Sequence, residues 1–192
     1  TAGMAHHDGT RALVINDGSL AAAAASLMEL ERRPVVAWIP PCPSPLSTDD
    51  PAVPTAGALV EKQADLFGYE EVLRGASPTS AGPERRAVHS TALGLEASIL
   101  LLEAVVDAAE AGAGRVVWPI VAGADLDAMH LASERAQLVS RLAWLDERRL
   151  AGLAVAVETP LVDLTAEQVV DLARDLDVPK RVARPIELGS GV

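Results

Sequence analysis

The stretch Arg11-Ala12-Leu13-Val14-Ile15-Asn16-Asp17-Gly18-Ser19 decides the fold class. Its apolar residues are adjacent instead of alternating, which is typical of a strand covered on both faces of a parallel sheet. The four residues from Asn16 to Ser19 are suited to a tight turn. A helical segment then runs from Leu20 to Arg33 and begins with a run of five alanines. This order predicts a central strand, a turn and a helix, the first unit of an α/β fold.

The same alternation of short apolar runs and longer helical patterns continues along the chain. Further strands are predicted at 35–39, 69–73, 115–120 and 153–157, and further helices at 55–67, 91–111, 131–145 and 165–176. Gly68 is placed as a C-cap, and Thr165 with Gln168 has the spacing of a capping box. We therefore expect a single three-layer α/β/α domain with a mainly parallel five-stranded sheet and the strand at 11–15 in its centre.

Chain length and the positions of the proline- and glycine-rich stretches indicate the domain organisation. A chain of 192 residues allows one ordinary domain. The prolines at 40–45 exclude regular structure there, and the Gly-, Ser-, Thr- and Pro-rich stretch 75–83 predicts a mobile surface loop. We assign residues 11–179 to the core and residues 1–10 and 180–192 to terminal tails, and we expect the second tail to be disordered or to dock on a partner.

Composition excludes several classes of function. The net charge of −11 repels phosphate-rich polymers and anionic lipid, so we expect no nucleic-acid and no membrane partner. No apolar run reaches the roughly 18 to 20 residues of a membrane span, and no basic segment followed by a hydrophobic stretch opens the sequence. Cys42, the single cysteine, supplies neither an internal disulfide nor a zinc cage. These features predict a cytoplasmic protein without bound zinc.

Candidate ligand-binding residues follow the strands, because open parallel sheets bind ligands at the carboxyl ends of their strands. Around the first two strands they are Asn16, Asp17, Gly18, Ser19 and Ile39. After the fourth strand they are Asp125, Asp127 and His130. The first group also fits a turn with Asp17 or Ser19 as helix N-cap, and the second a solvated loop that caps the next helix. We assign no metal site, since the spacing of the second group is unspecific and no further ligands accompany it.

Other polar residues have ordinary structural interpretations. The spacing of Glu103, Asp107 and Glu110 predicts a solvated helix face. Arg85 and Arg86 are expected to be exposed arginines. We expect terminal, surface or capping positions for His6, His7, Cys42 and His89, and we assign none of them a catalytic role. Neither GxxxxGK[ST] nor GxGxxG nor GxSxG occurs in the sequence.

The arrangement resembles the 7-cyano-7-deazaguanine synthases, which belong to the PP-loop ATP pyrophosphatases of the nucleotide α-hydrolase fold. The resemblance covers 11–179 in order and spacing. It is carried by the strand-turn-helix at 11–33, by Gly-Ala-Gly-Arg-Val-Val at 112–117, and above all by Glu-Thr-Pro-Leu-Val-Asp-Leu-Thr at 158–165 followed by the helix that leads to Val178-Pro179.

The catalytic signatures that the resemblance implies are absent. An SGGxDS loop is expected to wrap the pyrophosphate of ATP, and its positions fall on 16–21. Gly18 is the single glycine there, while the acidic residue falls on Leu20 and the last serine on Ala21. An Arg-Asn pair falls on Glu96 and Ala97, and a lysine and a glutamate fall on Ala166 and Gln168. The segment 180–192 contains no cysteine to match the structural zinc cluster of the family.

These losses favour a diverged, non-catalytic protein of this type, a pseudoenzyme that acts as a small-molecule-binding or assembly subunit and needs no cofactor. A small molecule or nucleoside would occupy the crevice lined by Asn16, Asp17, Ser19, Ile39 and the loop 122–127. The carboxylate of Asp17 would repel phosphate there, so a neutral nucleoside should bind better than ATP, and Asp17→Gly should improve ATP binding.

Two alternatives remain open from the sequence. One is an ATP-dependent adenylating ligase or amidase of deazapurine metabolism, of the kind that queuosine biosynthesis uses, with rebuilt residues and with ATP and Mg²⁺ as cofactors. The other is a universal-stress-like nucleotide sensor, which needs a late glycine-rich motif; Gly189-Ser190-Gly191 lies too near the end. We also expect a homodimer. The resemblance implies one, and Leu100 and Leu101 widen the apolar stripe of the long helix.

Overall fold

The computed structural model describes residues 11–41, 54–75, 94–145 and 154–186. Within these residues, five parallel strands form one sheet in the order β3-β2-β1-β4-β5. The strands are β1 (Arg11–Ile15), β2 (Val35–Ile39), β3 (Glu71–Arg74), β4 (Ala113–Val117) and β5 (Ala156–Glu158). The helices are α1 (Leu20–Leu30), α2 (Ala56–Phe67), α3 (Leu95–Glu110), α4 (Leu126–Leu145) and α5 (Ala166–Asp175).

Helices cover both faces of the sheet. On one face, Val14 of β1 shares a hydrophobic cluster with Val60 of α2 and Val169 of α5, and α1 packs in the same layer. On the other face, Leu13 of β1 shares a cluster with Leu101 of α3 and with residues of α4. Because β1 is buried from both sides and pairs with β2 and β4, the predicted α/β fold with a central first strand is confirmed.

The helix ends follow local capping chemistry. Thr165 and Gln168 make both bonds of the predicted capping box at the start of α5. Gly68 closes α2 in the left-handed conformation with φ 76°, also as predicted. The predicted end of α1 at Arg33 is wrong. The helix ends at Leu30, and Arg33 turns back to pair with Glu29, with 3.2 Å between Nε and the carboxylate.

Helix α4 begins five residues earlier than predicted. Its first residue is Leu126 instead of Leu131, because Asp125 accepts a hydrogen bond from the N–H of Ala128 and so caps a helix that starts directly after it. Asp127 and His130 therefore lie in the first turns of a helix and not in the predicted loop. The strand β4 also begins two residues early, at Ala113, after Gly112 with φ 71° turns the chain out of α3.

The segment 180–186 is part of the folded domain, so its assignment to a terminal tail is wrong. Lys180–Val182 form a short 3-10 helix, and Val182 and Ala183 are 4% and 8% exposed. Arg184 then makes a parallel bridge with Ser19. The segment is too short for a periodic pattern, which explains why the sequence did not reveal it.

Several expectations lie outside the described residues. They include the loop at 76–83, the start of the long helix at 91–93, the first residue of the predicted strand at 153, and the terminal stretches 1–10 and 187–192, together with the residues His6, His7, Cys42, Arg85, Arg86 and His89. None of the helices that the structure does describe is long and apolar enough to cross a membrane.

Candidate functional site

The strand order places a crevice at the carboxyl end of β1. The chain runs from β1 to β2 and β3 on one side and then crosses to β4 on the other side of β1, so the strand order reverses at β1. Ligands of open α/β sheets bind at such a switch point. The turn that fills this position is 16–19, and helix α1 begins immediately after it.

The backbone of this turn is bonded to its own side chains. Asn16 Oδ1 accepts from the N–H of Gly18, and Asp17 Oδ1 accepts from the N–H of Ser19, both at 2.9 Å. Ser19 is the N-cap of α1, and its Oγ accepts from the N–H of Ala22 at 3.2 Å. The turn is therefore a helix cap, one of the two interpretations that its sequence allows.

A segment from the other end of the chain closes the turn from outside. We call residues 182–186 the C-terminal strap. The N–H of Leu20 donates to the carbonyl of Arg184 at 2.9 Å, and the N–H of Arg184 donates to the carbonyl of Gly18 at 2.8 Å. The Arg184 guanidinium also donates to the carbonyl of Asp17. The N–H groups of Gly18, Ser19, Leu20 and Ala22 all have partners within the chain.

A buried polar cluster holds the turn and the strap together from below. Asn16 Nδ2 donates to Gln63 Oε1 at 2.8 Å, and Gln63 Nε2 donates to the carbonyl of Val182 at 2.8 Å. The Tyr69 hydroxyl donates to Gln63 Oε1 at 3.2 Å. Asn16 and Gln63 are both fully buried. Burial raises the pKa of Tyr69 to about 12, opposed by side-chain hydrogen bonds with Ser26 and Asn16 that lower it.

Gly18 has a steric role in the same turn. Its φ is 81°, a conformation that residues with a side chain rarely adopt. A Cβ there would lie 3.2 Å from the Cβ of Leu59 and 3.3 Å from the carbonyl oxygen of Ala56. This glycine lets α2 approach the turn closely, which accounts for it without a ligand.

Several candidate residues have structural roles or are exposed. Asn16 is buried within the polar cluster, and Ile39 packs in the core and is 7% exposed. Neither residue therefore lines an open crevice, although the sequence predicted that both would. Asp125 caps α4, Asp127 is exposed, and His130 lies beside Glu134 with 3.4 Å between Nε2 and the carboxylate. In the part of the chain that the structure describes, no three His, Cys, Asp or Glu side chains are grouped to hold a metal ion.

Three residues have structural roles that the sequence alone did not predict. Asp107, interpreted as part of a solvated face, accepts a hydrogen bond of 2.6 Å from Trp38 Nε1 and so links α3 to β2. Gln63 was overlooked as well, although its position on the apolar side of α2, one turn after Leu59 and Val60, is a signal for a buried polar group. Arg184 carried no comparable signal, since its partners are distant in sequence.

Comparison with known proteins supports the fold. No protein-family model and no curated protein sequence matches the chain. Among solved structures, it is similar to the U34-tRNA thiolase NcsA from Methanococcus maripaludis, which has a [4Fe-4S] cluster, with a TM-score of 0.53 and 12% identity over 88% of this chain. The fold is that of the nucleotide α-hydrolases. At this identity the likeness shows the nucleotide α-hydrolase fold alone, and the chain covers 58% of the thiolase.

A second similar structure is that of a "predicted subunit of tRNA methyltransferase" from Methanocaldococcus jannaschii, with a TM-score of 0.46 and 11% identity. The match covers 86% of this chain and 74% of that one.

Proposed function

We propose that this chain is a diverged, non-catalytic protein of the nucleotide α-hydrolase fold, related to the 7-cyano-7-deazaguanine synthases, and that it acts as a binding or assembly subunit without using ATP. The observation that carries the proposal is the state of the turn 16–19. An anion at a helix N-terminus needs backbone N–H groups that point at it without another partner. Here Gly18, Ser19 and Leu20 already donate to Asn16, Asp17 and Arg184.

Charge supports the same conclusion. Asp17 introduces a carboxylate into the turn, and two like charges about 4 Å apart repel by roughly 4 kcal/mol at an effective dielectric of 20. The dipole of α1 offsets about 1 kcal/mol of this repulsion. The Arg184 guanidinium donates to the carbonyl of Asp17, so its charge is held beside the turn in a hydrogen bond to the protein itself.

The residues that ATP activation needs are absent from the matching positions. In-line transfer at a phosphate depends on cations and hydrogen-bond donors fixed around the developing charge. The side chains of Leu20 and Ala21 supply neither, and Gln168, at the position of an expected glutamate, is used in the capping box of α5. We therefore propose that a ligand at this edge, where one binds, is neutral, such as a nucleoside or a base.

Titration calorimetry with adenosine, ATP and magnesium ATP tests this proposal. The native chain should bind neither form of ATP at millimolar concentration. Asp17→Asn keeps an acceptor for the Ser19 N–H but removes the charge, while Asp17→Gly removes both, so each should bind ATP more strongly than the native chain. The two variants together separate repulsion from the loss of the hydrogen bond.

The contrary result is equally specific. Tight binding of magnesium ATP by the native chain, weakened by both substitutions, would make Asp17 a metal ligand and overturn the proposal in favour of an ATP-dependent ligase. Release of pyrophosphate from ATP in the presence of a deazapurine carboxylate would do the same.

A further inference from the structure

We infer that the groove between α3 and α4 is the docking site of an amphipathic helix that belongs to another protein and has basic residues beside its apolar stripe. Twelve large hydrophobic side chains are exposed among the described residues, and ten of them lie on these two helices. Eight of the ten border the groove, and we call them the α3–α4 stripes. They are Leu95, Ile99, Leu102 and Val106 on α3, and Leu131, Leu138, Leu142 and Leu145 on α4.

The stripes have the spacing of helices that pack against a further helix. On α3 the steps between successive stripe residues are four, three and four. On α4 they are seven, four and three, and Arg135 stands at the position that divides the first step into four and three. Alternating steps of three and four residues form the seam of a coiled coil. The α3 stripe also alternates leucine with the β-branched Ile99 and Val106, which is a common composition of such seams.

Both stripes face the same groove. Other residues of the two helices are buried against the sheet. Arg135 Nε donates to Ser98 Oγ at 2.9 Å, so these two residues mark the flanks at which α4 and α3 meet. On a helical projection each stripe lies between that flank and the side of the helix that is turned away from the sheet. A third helix laid in the groove would therefore contact both stripes at once.

The outer rims of the groove are acidic. Each rim consists of three residues at steps of seven, on the flank of the stripe that is turned away from the other helix: Glu96, Glu103 and Glu110 on α3, and Asp127, Glu134 and Arg141 on α4. Glu103 has a partner within the chain and Glu134 lies beside His130, whereas Glu96, Glu110 and Asp127 are exposed on the rims. Five acids against one arginine complement a helix whose apolar stripe is flanked by lysine or arginine.

The same rims argue against a second copy of this chain as the occupant. In a two-fold interface a surface meets itself, so acidic rims would lie against acidic rims. The segments outside the described residues are 1–10, 42–53, 76–93, 146–153 and 187–192, and none of them contains more than two leucine, isoleucine, valine, methionine or aromatic residues. They are too polar to supply a matching stripe. A helix of another protein is the occupant that fits both the stripes and the rims.

This inference rests on the proposed assembly role and gives it a partner, and its test uses no nucleotide, so that the two can fail separately. The probe is a fluorescently labelled peptide of about three heptads with leucine at positions a and d and lysine at e and g. A peptide with glutamate in place of lysine is its charge control. Fluorescence anisotropy should show saturable, salt-sensitive binding of the lysine peptide to the native chain, and binding of the glutamate peptide that is about tenfold weaker or more.

Two substitutions test the stripes. Ile99→Ser and Leu138→Ser each remove one large apolar side chain, and each should weaken binding of the lysine peptide about tenfold or more. Leu66→Ser on α2 is the matched control, since Leu66 is 48% exposed on the opposite side of the sheet, and it should bind as the native chain does. Circular dichroism checks that each variant is folded. If Ile99→Ser does not fold, Leu138→Ser decides the question.

A double substitution tests the rim. Glu96→Gln combined with Glu110→Gln should weaken binding of the lysine peptide about threefold or more. Glu71→Gln combined with Glu167→Gln removes two exposed carboxylates elsewhere and should change the binding much less. Equal effects of the two pairs would show that only the net charge of the chain attracts the peptide, and they would overturn the assignment of a basic partner.

Other results would overturn the docking site itself. They are equal binding of the two peptides, the absence of binding by either, and binding of the lysine peptide that survives both Ile99→Ser and Leu138→Ser. Sedimentation of the native chain at a mass of twice 20.0 kDa, reduced to 20.0 kDa by Leu138→Ser, would also overturn it, because a second copy would then occupy the groove.

Discussion

At the scale of single residues, Gln63 explains why the turn after β1 is closed. Its amide accepts from Asn16 and Tyr69 and donates to the carbonyl of Val182, so one side chain of α2 holds both the turn and the strap. Because the cluster is buried, the loss of any one of these hydrogen bonds would leave an unsatisfied polar group and lower the free energy of unfolding by about 1–3 kcal/mol. Asn16, at the first position of an expected phosphate loop, has become part of the internal support.

The buried hydroxyl of Tyr69 makes the stability of the fold fall with rising pH in the alkaline range. Its pKa is about 12 in the folded chain against the usual 10, so above pH 10 the unfolded chain loses this proton and the folded chain keeps it. The contribution is fully present below pH 10 and is lost as pH rises from about 10 to 12, up to about 3 kcal/mol.

Tyr69 is the single tyrosine of the chain, so the absorbance of tyrosinate reports its ionisation without ambiguity. Denaturant unfolding between pH 8 and 12 should show a steeper loss of stability for the native chain than for Tyr69→Phe. Ionisation near pH 10 in the folded chain, or equal slopes for both, would contradict this prediction.

A residue's role could be predicted only when its partner lies close to it along the sequence. The capping of α1 by Ser19 involves neighbours three positions apart and was one of the interpretations drawn from the sequence. The contact of Arg184 with Asp17 spans 167 positions, and the bond between Trp38 and Asp107 spans 69. Such pairs leave no local pattern in a single sequence, because they arise only when the sheet brings distant segments together.

At the scale of elements, the C-terminal strap should be held mainly by its backbone. Arg184→Pro removes the N–H that donates to Gly18, whereas Arg184→Ala removes only the guanidinium. Ala183 has φ −139° and ψ 146°, a conformation compatible with a following proline, so the substitution puts no strain on the preceding residue. Arg184→Pro should lower the free energy of unfolding by about 1–3 kcal/mol.

Denaturant unfolding measures this difference, and hydrogen exchange at the amide of Leu20 localises it. Exchange of this amide should accelerate in Arg184→Pro and change much less in Arg184→Ala. Equal losses of stability in the two variants would show that the guanidinium, and not the backbone bridge, fixes the strap.

The elements differ in how well their limits followed from the sequence. The limits of α2 and α5 were predicted to within one residue, because Gly68 and the pair Thr165 and Gln168 are unambiguous caps. The sequence pattern puts the start of α4 five residues late, because Asp125 fits a loop or ligand position as well as a helix cap, and only the structure shows that it caps α4. The site was predicted less well than the fold. Its candidate residues follow the strands as expected, but burial of Asn16 and Ile39 depends on side chains from other elements.

At the scale of the whole molecule, the two sides of the sheet are covered differently. The side formed by α1, α2 and α5 leaves Leu66 and Val170 as its exposed large hydrophobic residues within the described chain, and the strap adds to its cover. The other side leaves ten large hydrophobic residues of α3 and α4 exposed within the described chain. The fold thus closes the edge at which open α/β sheets bind ligands, and it leaves apolar side chains of α3 and α4 exposed on the other side of the sheet, which supports the proposed assembly role.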